Sequence, residues 1–312
     1  MRDLSLKRRV AFIGASSFGL RCLRELEQLA VCEVVGIVTA PRRFTISYAP
    51  QGVTNVLHAD FESFAAQRAI ACVTMTGTMS DPSLLAAART WRPELFVVVG
   101  WYHLLPRALR ELAPAIGLHA SLLPDYCGGA PLVWAIINGE QRTGITLFQL
   151  EDGVDDGPVY AQAEEPISDS DTIATLYARI ESQGVGLLRR ELAQILDGTA
   201  RPVPQDTSRR RVFPQRKPAD GRIDWTWPAR RVYDFIRAQT RPYPGAYAMY
   251  RGEQVHIWRA RMSEVGTGLR RACGDGRLIE LEEVEYRGAT LTGAELLACL
   301  DTEDGDATQR LV

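Results

Sequence analysis

Residues 95–106 read Leu-Phe-Val-Val-Val-Gly-Trp-Tyr-His-Leu-Leu-Pro, an unbroken apolar run that stops at Gly100. Five apolar residues without polar alternation describe a parallel strand buried on both faces. A helical stretch, Asp81–Trp91, precedes this run, and a further short apolar run, Ile116–Ala120, follows it. Toward the N-terminus, Val10–Ile13, Val34–Val38 and Ile70–Met75 read as strands, with a helix from Phe18 to Leu29 after the first. Strands alternating with helices predict an α/β fold, a Rossmann-like, doubly wound and mostly parallel sheet. Its ligands are then expected at the carboxyl ends of the strands.

Toward the C-terminus, Ile145–Leu150 is another strand, and Thr172–Asp197 is a long amphipathic helix capped by Asp171 or Ser170. Ile173, Leu176, Ile180, Leu187 and Leu188 mark its buried face, while Gly184 and Gly186 weaken its middle. From Gly198 the composition changes. Thr199–Pro218 holds four prolines and the cations Arg209, Arg210, Arg211 and Arg216, and reads as a linker. Beyond it come a helix, Pro228–Ala238, and β-type runs at Ala246–Tyr250, Val255–Ala260, Leu278–Val284 and Thr290–Leu291. These predict a smaller C-terminal β-barrel, OB-like in type. The expected domains are 1–198 and 219–312, joined by 199–218.

The 312 residues are 46% hydrophobic and 24% charged, which excludes disorder and collagen-like structure. A net charge of −2 exerts no global pull on nucleic acid. Six cysteines, at 22, 32, 72, 127, 273 and 299, form no C-x-x-C pair and have no His at ligand spacing. Neither a metal site nor a disulfide framework is expected. With no run of about 18 apolar residues and no cleavable leader, the expected location is the cytoplasm, away from membranes.

Gly14-Ala-Ser-Ser-Phe-Gly19 is the turn after the first strand. A dinucleotide fingerprint would place glycine at 16 and an acid at the end of the second strand. Here Ser16 and Thr39-Ala40-Pro41 stand there, which argues against hydride transfer and for a tight structural turn. The chemistry is expected in Gly117–Gly157. One strand delivers His119, the turn Ser121-Leu122-Leu123-Pro124 stops it, and Gly128-Gly129-Ala-Pro131 lets a loop pass close to a ligand. Ile145–Leu150 leads into Asp152-Gly-Val154-Asp155-Asp156-Gly157. A His and a carboxylate at neighbouring strand ends can share a hydrogen bond that readies the imidazole as a general base.

The ordered set His119-Ala-Ser-Leu-Leu-Pro124, Gly128-Gly-Ala-Pro131, Thr143-Gly-Ile-Thr-Leu-Phe148 and Asp152-Gly-Val-Asp-Asp-Gly157 resembles the 10-formyltetrahydrofolate-dependent formyltransferases. Gly100–Pro106, Arg222-Ile-Asp-Trp225 and Thr240-Arg-Pro-Tyr-Pro-Gly245 extend the resemblance over residues 8–260. It implies a formyl donor, 10-formyltetrahydrofolate, held by Trp101, Tyr102, His103, Leu104, Leu105, Pro106, Val154 and Asp155. It also implies an Asn-x-His pair with a downstream Asp, which fall on Gly117, His119 and Asp155. Gly117 is a departure, because Gly offers no side-chain donor to the oxyanion. Losing one such donor costs roughly 2.7–4 kcal/mol of transition-state stabilisation. A backbone N–H, a water, His103 or Tyr102 could substitute for it. Cys127 is a second departure, standing where the family has Arg.

Ser121, Leu122, Leu123, Pro124, Cys127, Gly128 and Gly129 are the expected acceptor-side residues. Phe44–Tyr48 lies at the end of the second strand, where it suits the acceptor or the folate tail, or forms an ordinary loop. Asp152 and Asp156 lack the ligand spacing of a calcium loop. Arg209–Arg211 reads as a solvated linker, with phosphate contact as the alternative. The acidic stretch Asp301–Asp306, the net charge and the Thr240–Ala246 run favour a small-molecule amine, such as an amino-sugar nucleotide, over tRNA. Methionyl-tRNA formyl transfer is the alternative, and a folate-binding protein with redirected chemistry, such as formyl-donor hydrolysis, is a third reading. A homodimer is an assembly left open.

Overall fold

The computed structural model describes residues 7–46, 49–262, 269–301 and 311. Residues 47 and 48 of the Phe44–Tyr48 stretch, and 302–306 of the acidic stretch, lie outside the described residues. Proximity of Cα atoms divides the chain into two compact units. The first contains the described residues up to Gly128 together with Gly144–Glu165 and Arg179–Val212. The second contains Gly129–Thr143, Pro166–Ala178 and the described residues from Phe213 onward.

The first unit is built on β1 (Arg8–Ile13), α1 (Ser17–Gln28), β2 (Cys32–Thr39), β3 (Cys72–Thr74), α2 (Pro82–Trp91), β4 (Leu95–Val98), β5 (Ala115–His119), β6 (Arg142–Gln149) and β7 (Val159–Pro166). The strands form one sheet in the order β7-β6-β5-β4-β1-β2-β3. β3, β2, β1, β4 and β5 run parallel, whereas β6 is antiparallel to β5. The apolar runs become strands because both sheet faces are covered: Phe12, Ile13, Phe96 and Val97 have no exposed surface. Capping residues set the helix starts. Ser16 accepts from the Gly19 amide at 3.1 Å, and Asp81 accepts from the Ser83 amide at 2.8 Å with Pro82 in the first turn.

Strand order reverses between β1 and β4, the point at which open α/β sheets offer a ligand crevice. The turn beside it is tightly packed. A Cβ on Gly14 would meet the Val99 carbonyl at 2.5 Å, and one on Gly100 would meet Ser16 Oγ at 1.9 Å. The Ser at position 16 therefore serves as a helix cap packed against Gly100.

The long helix α3 (Ile173–Asp197) buries Ile173, Leu176, Ile180, Leu187 and Leu188, each at most 1% exposed, as the spacing predicts. Gly184 has a packing role rather than a weakening one, since a Cβ there would meet Phe18 at 2.6 Å and Ile145 at 2.7 Å. Sequence reading missed the hairpin strands Arg43–Ile46 and Ala49–Thr54, and β7. Pro41, Pro50 and the charged residues within these segments hide their short apolar signal.

In the second unit, α4 (Ala229–Arg237) accompanies an antiparallel sheet of β8 (Ala246–Tyr250), β9 (Glu253–Met262), β10 (Arg270–Ala272), β11 (Leu278–Tyr286) and β12 (Ala289–Thr292). Val255, Ile257, Ile279 and Val284 are fully buried in it. The buried Asp234–Arg237 pair, at 2.7 Å, is satisfied by further donation from Arg237 to the carbonyls of Ser168 and Asp171. Among the described residues, no helix is long and apolar enough to cross a membrane.

Candidate active site

His119 closes β5, directly opposite Thr146 of β6. Its Nε2–H donates to the Tyr126 carbonyl at 2.7 Å. A carbonyl can only accept, so this bond fixes the tautomer and leaves Nδ1 facing Asp155, whose Oδ2 lies 3.6 Å away. The same Oδ2 accepts from the Gly128 amide at 2.7 Å. At this separation the imidazole and the carboxylate stand beyond hydrogen-bond distance.

The pair does not arise from neighbouring strand ends. Because β6 runs antiparallel to β5, its last residues lie beside the beginning of β5: Gln149 pairs with Ile116, and the Leu150 amide donates to the Ala115 carbonyl at 2.8 Å. The loop from Glu151 to Gly157 therefore has to fold back to bring Asp155 to His119. A small cluster of Leu123, Cys127 and Phe148, with Leu150 and Val159 against it, forms part of the packing around this loop. Tyr126 and Asp155, which supply the two partners of the imidazole, both adopt positive φ, 54° and 53°.

The acceptor-side residues predicted from sequence are largely occupied by structural bonds. Ser121 is 1% exposed and its hydroxyl donates to the Asp125 carbonyl at 2.7 Å. The Leu123 amide donates to Thr146 Oγ1 at 3.1 Å, and its carbonyl accepts from Gln162 at 2.8 Å. Leu122 packs over Gly144, and Pro124 follows a cis peptide. Cys127 has no exposed surface, its Sγ lies 3.3 Å from the Pro124 carbonyl, and burial pushes its thiol pKa up. Its position is that of a packing thiol. Gly129 groups with the second unit, where a Cβ would meet the Gln215 backbone at 2.4 Å.

At Gly117 the space beside the backbone is taken. A Cβ there would meet Leu150 Cδ2 at 3.0 Å and Phe148 at 3.5 Å. The side chains against the position are thus apolar.

The loop after β4 forms an aromatic group. Trp101 and His103 lie 5.7 Å apart, and Phe44 lies 5.1 Å from Tyr102 and 6.1 Å from His103. Leu105 is buried and Pro106 half-buried, whereas Leu104 is 62% exposed. Val154, in the Asp155 loop, is 37% exposed. The Trp101 indole N–H is buried without an acceptor among the described residues. Burial holds the His103 pKa below the ordinary histidine value. Asp152 pairs with Arg110, and no group of three or more His, Cys, Asp or Glu among the described residues could hold a metal ion.

Sequence reasoning missed what lies over the site. Gln205 donates to the carbonyls of Asp155 and Gly157, at 2.9 and 2.7 Å. Arg210 donates to the Val154 carbonyl, and Arg211 pairs with Asp125 through two nitrogens. The last two cations are not freely solvated, and their bonds are long-range ones that local sequence does not announce.

The formyl transferase family profile matches residues 8–192, and the profile for the formyl transferase C-terminal domain matches residues 216–299. A methionyl-tRNA formyltransferase from Anaeromyxobacter dehalogenans is 33% identical over 307 residues, spanning 93% of this chain and 96% of its own length. Among solved structures, HypX from Aquifex aeolicus in complex with tetrahydrofolic acid superimposes with TM-score 0.63 at 19% identity. That match covers 94% of this chain, which spans about half the length of HypX (47%). An N-formyltransferase from Helicobacter canadensis, in complex with folinic acid and dTDP-3-aminofucose, superimposes with TM-score 0.62 at 16% identity, covering 88% of this chain and 98% of that one.

Proposed function

The chain belongs to the formyl transferase family, and on that premise we propose that it moves a formyl group from 10-formyltetrahydrofolate to the amine of methionyl-tRNA. The observation that carries the acceptor is the extent of the sequence likeness. It runs through 93% of this chain and 96% of a methionyl-tRNA formyltransferase. This outweighs the charge balance that favoured a small amine, because a net charge of −2 is a sum and says nothing of where the cations lie. A second reading, a small amine such as an amino-sugar nucleotide, is favoured by the Thr240–Ala246 run and by the fold shared with the Helicobacter canadensis enzyme.

The residues present fit a folate-type donor. Trp101, Tyr102 and His103 offer aromatic surface, Leu104 and Val154 offer exposed apolar contacts, and the Trp101 indole N–H lacks an acceptor. The donor, when bound, supplies the formyl carbon that the amine attacks. His119 takes up the proton of the attacking amine at Nδ1, and the Asp155 carboxylate stabilises the resulting imidazolium. The Tyr126 carbonyl holds the ring in the required tautomer. Gly117 contributes no side-chain donor, so the developing charge on the formyl oxygen is met by a backbone N–H or a water.

Purified protein, supplied with 10-formyltetrahydrofolate, is tested against methionyl-tRNA and against an amino-sugar nucleotide by following tetrahydrofolate release. The expected result is release with methionyl-tRNA, weakening steeply as salt rises. Release with the sugar nucleotide alone moves the acceptor to the second reading. Hydrolysis without any acceptor, or no calorimetric binding of 5-formyltetrahydrofolate, defeats the transferase reading.

A further inference from the structure

We propose that residues 203–211 act as a positioning strap for the catalytic pair, fixing through Gln205 and Arg211 both groups that hold the His119 ring. The inference rests on the reading that His119 and Asp155 handle the proton.

On the Asp155 side, one amide serves two carbonyls. Gln205 Nε2 donates to Asp155 at 2.9 Å and to Gly157 at 2.7 Å. Both partners are acceptors, so only the NH2 of the amide can occupy this place. Arg210 adds a bond to the Val154 carbonyl. Three carbonyls of the loop, those of Val154, Asp155 and Gly157, are therefore tied down around a residue in the left-handed region, φ 53°.

On the Tyr126 side, the Arg211 amide donates to the Pro124 carbonyl at 3.3 Å, and the Arg211 carbonyl accepts from the Cys127 amide at 2.9 Å. The Arg211 guanidinium pairs with Asp125 and lies 4.8 Å from the centre of the Tyr126 ring. Residues on both sides of Tyr126 are thus held, and Tyr126 itself has φ of 54°. The strap is anchored to the sheet by reciprocal bonds between Val203 and Val159, each 2.8 Å. The Arg211 side chain is 51% exposed, so its ion pair is screened. Gln205 is half-buried and carries the larger share of the positioning.

The test uses the full chain with Gln205→Leu and Arg211→Gln, read by steady-state kinetics and by the ring 15N resonances of the four histidines. Gln205→Leu is expected to lower kcat about tenfold to a hundredfold with the donor KM within about twofold, and Arg211→Gln less. In both variants the His119 ring resonances shift while those of His58, His103 and His256 stay. Unshifted His119 resonances in the folded variants overturn the strap, whatever happens to kcat. If Gln205→Leu does not fold, the Arg211→Gln spectrum decides in the same way. Failure of the transferase reading is separate: the wild-type protein then turns over no acceptor, while the resonance shift still reports whether the strap sets the ring.

Discussion

Two loop systems leave the same sheet and have been put to opposite uses. The turn after β1 sits at the point where strand order reverses, and there Gly14 packs on the Val99 carbonyl and Gly100 on Ser16. The clasp around His119 lies farther along, where the sheet turns antiparallel. It holds an imidazole and a carboxylate side by side, with Val154 exposed next to them. The first is glycine-rich so that backbone can meet backbone. The second carries non-glycine residues in the left-handed region, Tyr126 the more strained and Asp155 the more tolerant, held by long-range bonds. Close packing makes the fold, and imposed strain with open polar groups makes the site.

The largest effect that could break this contrast is on catalysis. His119→Ala is expected to lower formyl transfer by about 10²–10⁴, beyond the roughly 1–3 kcal/mol of stability lost with its bond to the Tyr126 carbonyl. Unaltered turnover would remove the clasp from the chemistry. Gly100→Ala should do the reverse. Its Cβ would lie 1.9 Å from Ser16 Oγ at a φ of 63°, so unfolding measurements should show a loss of at least about 1–3 kcal/mol. The turnover per folded molecule should stay the same.

Gly117→Asn sharpens the comparison, since it asks whether the clasp tolerates the packing that the first turn depends on. Leu150 Cδ2, the end of a flexible side chain 3.0 Å from the added Cβ, must shift by a few tenths of an ångström, so denaturant titration should show a cost at or below the low end of the roughly 1–3 kcal/mol of core overpacking. Adding Leu150→Ala relieves the crowding, and the double variant should transfer formyl about tenfold faster than the parent, because a side-chain donor reaches the oxyanion. A slower double variant would mean that the chain already meets the oxyanion by another group.

The smallest effect concerns His103. Burial holds its folded-state pKa below the ordinary value of 6.5. As pH falls past that value, the unfolded chain takes up the proton first, so the native state loses stability until its own pKa is passed. Relative to His103→Asn, the wild type should therefore melt lower at about pH 5 than at about pH 7.5. An identical difference at both pH values would show that the aromatic group does not exclude the charge.

Much of this was legible in residue order. The run Leu95–Val99 and its neighbours predicted the parallel strands, and Ile173 through Leu188 predicted the buried face of α3. The His119 and Asp155 motifs predicted a pair that the fold does bring together. Their route to each other was not legible, because the reversal of β6 is a pairing choice made across the sheet. The roles of Gln205 and Arg211 were hidden for the same reason: their partners lie 48–50 and 86 positions away, and the segment between prolines reads locally as a linker.

By itself the sequence determined most of the element types, the family likeness and the candidates His119 and Asp155 for handling the proton. These depend on periodicity and on which side chains exist, and both are local properties. Only the tertiary structure decided that Ser16 packs on Gly100 at the strand reversal and that Leu150 stands against Gly117. It also decided that a proline-bounded segment reaches back over Asp155 and Tyr126. Each of these depends on which atoms occupy the same few cubic ångströms, and chain order alone does not specify that.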